Sequence, residues 1–232
     1  MLVTKFDLTL EGISMAQNIR ARQIIGPLNL NSVLALAGMA GPVILIAADL
    51  TAAFSQGGYN WARDSISSLA WTPMGWLQTI GFLAMGLLTE LFVAGIFLNI
   101  RGTKGFGLGI GLLVLFGFAL LLIGAFHTDF TGVPATVNGT IHGLAARALF
   151  FLFMFASALI APSLMTNAAW RPLFIYSLVA TSLVLILIIL GLWVRDGNFH
   201  FGLYERILVA VTIIWVEVMS VWLLRLSFKR NE

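Results

Sequence analysis

The sequence predicts an all-α integral membrane protein, a bundle of six transmembrane helices with both termini cytoplasmic. Composition comes first: of 232 residues, 59% are hydrophobic and only 10% are charged. The mean hydropathy is +0.98. Soluble chains run roughly 45–50% apolar and about 25% charged, so a soluble domain of this size could not bury so much apolar surface. The second observation is the length of the apolar runs, several of which exceed the about 18 residues needed to cross a bilayer. The third is the distribution of Lys and Arg between alternate loops, which sets orientation.

In chain order, residues 1–31 carry Lys5, Asp7, Glu11, Arg20 and Arg22 without a continuous apolar core. They read as a cytoplasmic N-terminal segment, either an interfacial amphipathic helix or a solvated tail. Six apolar runs follow, Ser32–Phe54, Gly75–Ile100, Phe106–Phe126, His142–Met165, Pro172–Val194 and Glu205–Phe228. Residues 32–228 thus form the transmembrane domain, and 229–232 a cytoplasmic tail. One side of this arrangement holds nine basic residues: Lys5, Arg20, Arg22, Arg101, Lys104, Arg171, Arg225, Lys229 and Arg230. The other holds four, Arg63, Arg147, Arg195 and Arg206. This bias places the termini inside, in a plasma (cytoplasmic or inner) membrane. Inside connections are short, whereas the outside ones, 55–74, 127–141 and 195–204, are longer and carry most of the polar chemistry. Long ordered loops are where function concentrates, so the outer face is the expected working face. The glycines Gly107 and Gly111, four apart, are expected to let two helix backbones approach closely.

Several chemistries are excluded. The chain has no cysteine, which removes disulfides, thiolate metal sites and iron–sulfur clusters. The net charge of +3 lies beside the spans rather than in a basic stripe, so no nucleic-acid partner is expected. The partners expected are the lipid bilayer, a lipid or amphiphile ligand, and a membrane-protein partner.

Charges within spans are expensive and point to function or pairing. Asp49 and Arg147 lie about five residues from the outer ends of the first and fourth runs, at a similar depth of roughly 7 Å. Opposite sign at equal depth predicts a salt bridge. Glu90 and Glu217 lie deeper, either lining a cavity or proton path or held protonated among neighbours. Arg206, Glu217 and Ser220 share one face of the last helix. The three histidines, His127, His142 and His200, all fall on the outer side with Asp64, Ser65, Ser67, Asp129, Glu205 and Arg206. Imidazole with carboxylate is the minimum set for acid–base work or a zinc site. No H-E-x-x-H spacing is present, so no metal or cofactor is assigned; zinc and bis-histidine haem are the weaker alternatives.

Three segments also resemble a known family. They are Tyr59-Asn60-Trp61-Ala62-Arg63-Asp64-Ser65-Ile66-Ser67-Ser68-Leu69, His127-Thr128-Asp129 with Gly139-Thr140-Ile141-His142-Gly143, and Gly202-Leu203-Tyr204-Glu205-Arg206-Ile207. In this order they resemble the outer loops of six-span prokaryotic membrane proteins catalogued as domain of unknown function nine-nine-eight. One departure is His127, where the family pattern has a proline, which leaves Asp129 and His142 as the better candidates. The resemblance implies architecture without a reaction, so function rests on the site itself. The expected site gathers Ser65, Ser67, Asp129, His142, Glu205 and Arg206 in one outward polar mouth, with Arg147 and Asp49 below. It would bind a lipid headgroup or small amphiphile. The alternatives are a membrane-embedded hydrolase or transferase using His142 as base and Asp129 as orienter or metal ligand, or a non-catalytic accessory or sensor subunit of a membrane complex.

Overall fold

The computed structural model describes residues 29–130, 132–192 and 200–229. Most of the N-terminal segment, the tail beyond 229 and the first half of the 195–204 loop lie outside the described residues. Six long helices are present among those described: α1 (Leu30–Phe54), α2 (Gly75–Asn99), α3 (Phe106–Ala125), α4 (Val137–Thr166), α5 (Phe174–Gly191) and α6 (Phe201–Lys229). Each is long and apolar enough to cross a membrane. Two single-turn 3-10 helices, Ser67–Trp71 and Arg171–Leu173, lie in the connections before α2 and α5.

Helix ends differ from the hydropathy boundaries because caps, not apolarity, decide them. Asn29 accepts from the Ser32 amide and so starts α1 before the apolar run. Thr136 accepts from the Gly139 amide and starts α4 five residues before His142. His142 therefore sits inside the helix rather than at its mouth. The fifth helix begins at Phe174, after Pro172 has closed a 3-10 turn.

The helices form a closed ring. Each packs on its sequence neighbours, and α6 returns to α1 while also touching α2 and α4. The centre is Trp215 of α6, fully buried, edge-on to Phe92 of α2 and Phe153 of α4. Its indole N–H donates to Ser177 Oγ of α5 at 2.9 Å, so its one polar group is satisfied without water. At the end where α1 starts and α6 stops, Asn29 Nδ2 donates to the Ser227 carbonyl at 3.2 Å. The Ser32 and Ser227 hydroxyls meet there at 2.9 Å. In lipid such contacts hold helices together because there is no water to compete for them.

Close approach is achieved by glycines other than the expected pair. Gly107 and Gly111 face outward with nothing within 4 Å of a Cβ; Gly109 between them packs on α4 instead. The tight crossing of α1 with α2 and α6 occurs at Gly38, where a Cβ would run into Ser220 Oγ and the Phe92 ring. Replacing Gly38 by Val should cost about 1–3 kcal/mol through overpacking. Gly111→Ala should be neutral or stabilising by about 0.5–1 kcal/mol, since it gains helix propensity in open space. Thermal unfolding of the two variants in detergent measures the contrast; equal melting temperatures would contradict the packing described.

Candidate functional site

The loop between α1 and α2 is shaped by its own polar side chains. Gly58, at φ +83°, turns the chain in a conformation that side-chain-bearing residues avoid. Asn60 Oδ1 accepts from the amides of Ala62 and Arg63 at 3.0 and 3.2 Å. Asp64 closes the turn, accepting from the Asn60 amide at 2.8 Å and from Arg63 Nε at 3.0 Å. Desolvation opposes ionisation of Asp64, but the Asn60 N–H and the Arg63 and Arg206 guanidiniums outweigh it, so the carboxyl is held below its ordinary range.

This loop is gripped by the start of α6. Arg206 Nη1 donates to the Trp61, Asp64 and Gly202 carbonyls, each at 2.9 Å. Its Nη2 donates to the Tyr59 hydroxyl, which in turn donates to the Ser65 carbonyl at 2.9 Å. Burial pushes the Tyr59 phenol up to about 12, although Arg206 pulls the other way, so it remains a donor at any physiological pH. The guanidinium also lies 5.5 Å from the Tyr59 ring centroid and 5.1 Å from that of Trp61, within cation–π range. Beside it, Glu205 accepts from the Ile66 amide at 2.7 Å, and the Leu203 amide donates to the Ala62 carbonyl at 3.0 Å.

Beneath this grip lies a cavity of about 190 Å³ between α1, α2, α6 and the loop. Its walls are Leu45, Ile46, Ile66, Phe82, Val209, Ala210 and Ile213, and its polar groups are Asp49 and Arg206. Asp49 Oδ1 accepts from Gln78 Nε2 at 3.1 Å. Asp49 and Arg206 face the same space without forming an ion pair; among the described residues the only one is Arg63–Asp64. Arg206 Nε is buried and has no hydrogen-bond partner.

On the other side of Phe82 and Gln78 is a second polar cluster. His142 is buried, with Nδ1 2.8 Å from the Phe126 carbonyl and Nε2 3.0 Å from Ser67 Oγ. A void of about 10 Å³ touches Ser67, Gln78, Thr79, His127 and His142. Gln78 Oε1 is buried without a partner. His127 Nε2 lies 3.0 Å from Thr79 Oγ1, and Trp71 Nε1 donates to the Thr128 carbonyl at 3.2 Å.

The expected site residues therefore fall into two clusters. Ser67 meets His142, and Glu205 and Arg206 meet the first loop, while Ser65 turns inward on its own segment, accepting from the Ser68 amide at 3.2 Å. Asp129 does not orient His142. Its two oxygens accept from the Thr136 amide and hydroxyl at 2.9 and 2.6 Å, which closes the loop over the α4 N-terminus. Those two bonds hold its carboxyl below the ordinary range. The expected Asp49–Arg147 pair is not formed: Arg147 is exposed on α4, and α1 packs on α2 and α6 rather than on α4. Glu90 lies over Gly117 of α3. Glu217 Oε2 is buried without a partner, away from both clusters. Among the described residues no three His, Asp or Glu side chains come together as metal ligands.

Residues not singled out beforehand as site members are Tyr59, Trp61, Gln78 and Thr79. Gln78 had a legible signal, a lone amide in an apolar run, which must find a partner. Tyr59 and Trp61 had a weaker one, two aromatics one residue apart in a polar loop, able to stack on a guanidinium.

Residues 39–222 match a family described as "Protein of unknown function (DUF998)", the family that the three outer-loop segments resemble. Searches of curated proteins and of solved structures gave no match.

Because Arg206 holds three carbonyls and a phenol, Arg206→Met should destabilise by about 2–4 kcal/mol, a hydrogen bond to a charged group being worth about 1.5–3 kcal/mol net and such bonds from one side chain not adding in full. Arg206→Lys should not rescue it, since an ammonium lacks the planar fork. Arg147→Gln should change stability by no more than about 0.5 kcal/mol. Melting temperatures of the three variants test this, and a large loss for Arg147→Gln would restore a structural role for that residue.

Proposed function

We propose that the chain, which belongs to the DUF998 family, binds the polar end of a lipid or small amphiphile in the cavity between α1, α2, α6 and the first long loop. One observation carries this reading. Two opposite charges, Asp49 and Arg206, line one apolar cavity without pairing, and the Arg206 Nε–H is buried and unpartnered. A buried donor without an acceptor costs about 1–3 kcal/mol, and a ligand that supplies the acceptor recovers that cost. A hydroxyl fits best, donating to Asp49 and accepting from the Arg206 guanidinium, with the attached hydrocarbon against Leu45, Ile46 and Ile213. Ligand sites commonly have this form, apolar walls with a few placed polar groups.

The site faces outward in this reading, at the outer leaflet of a plasma (inner) membrane, with both termini in the cytoplasm. The basis is the nine-to-four bias of basic residues. A membrane-impermeant maleimide applied to intact cells should label Val133→Cys and not Thr103→Cys; the reverse pattern would invert the orientation.

Ligand binding is tested with a long-chain monoacylglycerol on purified protein by native mass spectrometry. Asp49→Ala should weaken retention about tenfold, the equivalent of about 1.4 kcal/mol. Ala210→Trp, which fills the cavity, should abolish retention while the protein stays folded. Wild-type affinity in the Ala210→Trp variant would remove the cavity from consideration.

A further inference from the structure

The contact between Ser67 and His142 has a defined direction. Nδ1 of His142 lies 2.8 Å from the Phe126 carbonyl oxygen, and a carbonyl can only accept, so Nδ1 carries the ring proton. In the neutral imidazole Nε2 is then an acceptor, and the only group able to donate across its 3.0 Å contact is the Ser67 hydroxyl. This is the arrangement of an activated serine: a hydroxyl aimed at the lone pair of an imidazole whose other nitrogen is fixed by a third group. Here the third group is a backbone carbonyl in place of a carboxylate.

The surroundings add two further elements. Ser67 opens the 3-10 helix before α2 and is partly exposed, whereas His142 is sealed beneath it. The void beside the pair, about 10 Å³, is close to the space one water needs. Gln78 and Thr79 line that void, so polar side chains surround it beside the pair. The neighbouring cavity shares Phe82 as a wall, and Ile66, the residue before Ser67, lines it.

We propose that Ser67 and His142 form a nucleophile–base pair that hydrolyses carboxylic esters of hydroxyl-bearing amphiphiles. Ser67 Oγ bonds to the ester carbonyl carbon as its proton moves to His142 Nε2. The tetrahedral intermediate collapses, the carbon–alkoxy bond breaks, and the departing alcohol takes the proton from Nε2. Water then attacks the acyl-serine, giving one proton to Nε2, and Ser67 leaves with that proton as the carboxylic acid is released. Nδ1–H stays on the Phe126 carbonyl throughout. The choice of substrate rests on the ligand reading above; the chemistry of the pair does not.

A short-chain alkyl fluorophosphonate, too small to need the cavity, is the direct probe on purified protein in nanodiscs. Peptide mapping should find its adduct on Ser67, absent in Ser67→Ala. The labelling rate should fall by about 10²–10⁴ in His142→Gln, the usual contribution of a general base. Both variants should keep melting temperatures close to the parent protein, which a purely structural staple would not. With a long-chain monoacylglycerol as substrate, Asp49→Ala should raise KM. A folded wild-type protein unlabelled at Ser67 would overturn the pair as a catalyst, and monoacylglycerol binding seen in that same sample would leave the binding reading standing. Labelling of Ser67 with KM unaffected by Asp49→Ala would overturn the cavity as the substrate site.

Discussion

The guanidinium of Arg206 determines the form of one end of this bundle. A loop of some twenty residues between two spans has no reason of its own to lie down on the helices, because its backbone groups are as well satisfied by water. Three carbonyls converging on Nη1 and a phenol on Nη2 change that balance. They fix the Tyr59–Ile66 segment against α6, and its carboxylate neighbour Glu205 takes the Ile66 amide. With Ile66 held there, Ser67 starts its 3-10 turn within reach of His142 on α4, and Leu69 seals against Ala52 and Ala53 of α1. Both polar clusters thus depend on the grip of Glu205 and Arg206 at the start of α6 on this loop.

The spans were legible in the sequence because crossing a bilayer imposes a length and an apolarity that no other context demands. Their ends were less so. Asn29 and Thr136 start their helices outside the apolar runs through single side-chain hydrogen bonds, and such caps are invisible to hydropathy. Within the site, Arg206 and Glu205 stood out as charges at a helix start, and Ser67 and His142 as polar residues facing a common mouth. Depth alone misled for Asp49 and Arg147. Two residues at one level can meet only if their helices are neighbours, and in a ring α1 and α4 are separated by α2 and α3 on one side and by α5 and α6 on the other. Sequence proximity misled for Asp129, which is taken up by Thr136 before it can reach His142. The first miss concerns order around the bundle axis, information carried by packing of all six helices at once; the second is a contact local to one loop that takes the place of a longer one.

Polar groups in this protein follow two different economies. At the end where α1 starts and α6 stops, Asn29, Ser32, Ser227, Thr103 and Ser163 pair with one another and with backbone, giving short connections that need no solvent. At the opposite end the pairing is incomplete. Arg206 Nε and Gln78 Oε1 are buried without partners, each on a residue that lines a void. Native structures satisfy nearly all buried polar atoms; two further exceptions, Thr89 Oγ1 and Glu217 Oε2, lie midway along their helices.

The anchoring contact joins parts of the chain that are far apart in time of synthesis. Trp61 and Asp64 precede Arg206 by 145 and 142 residues, so the first hairpin is inserted with its loop unfastened while four more spans are made. Only the arrival of α6 supplies the guanidinium, and with it the far wall of the cavity. A nascent protein interrupted before its last span would carry every other element and no finished site. The ring and its cavity are therefore completed together, in one late step, when the last helix arrives.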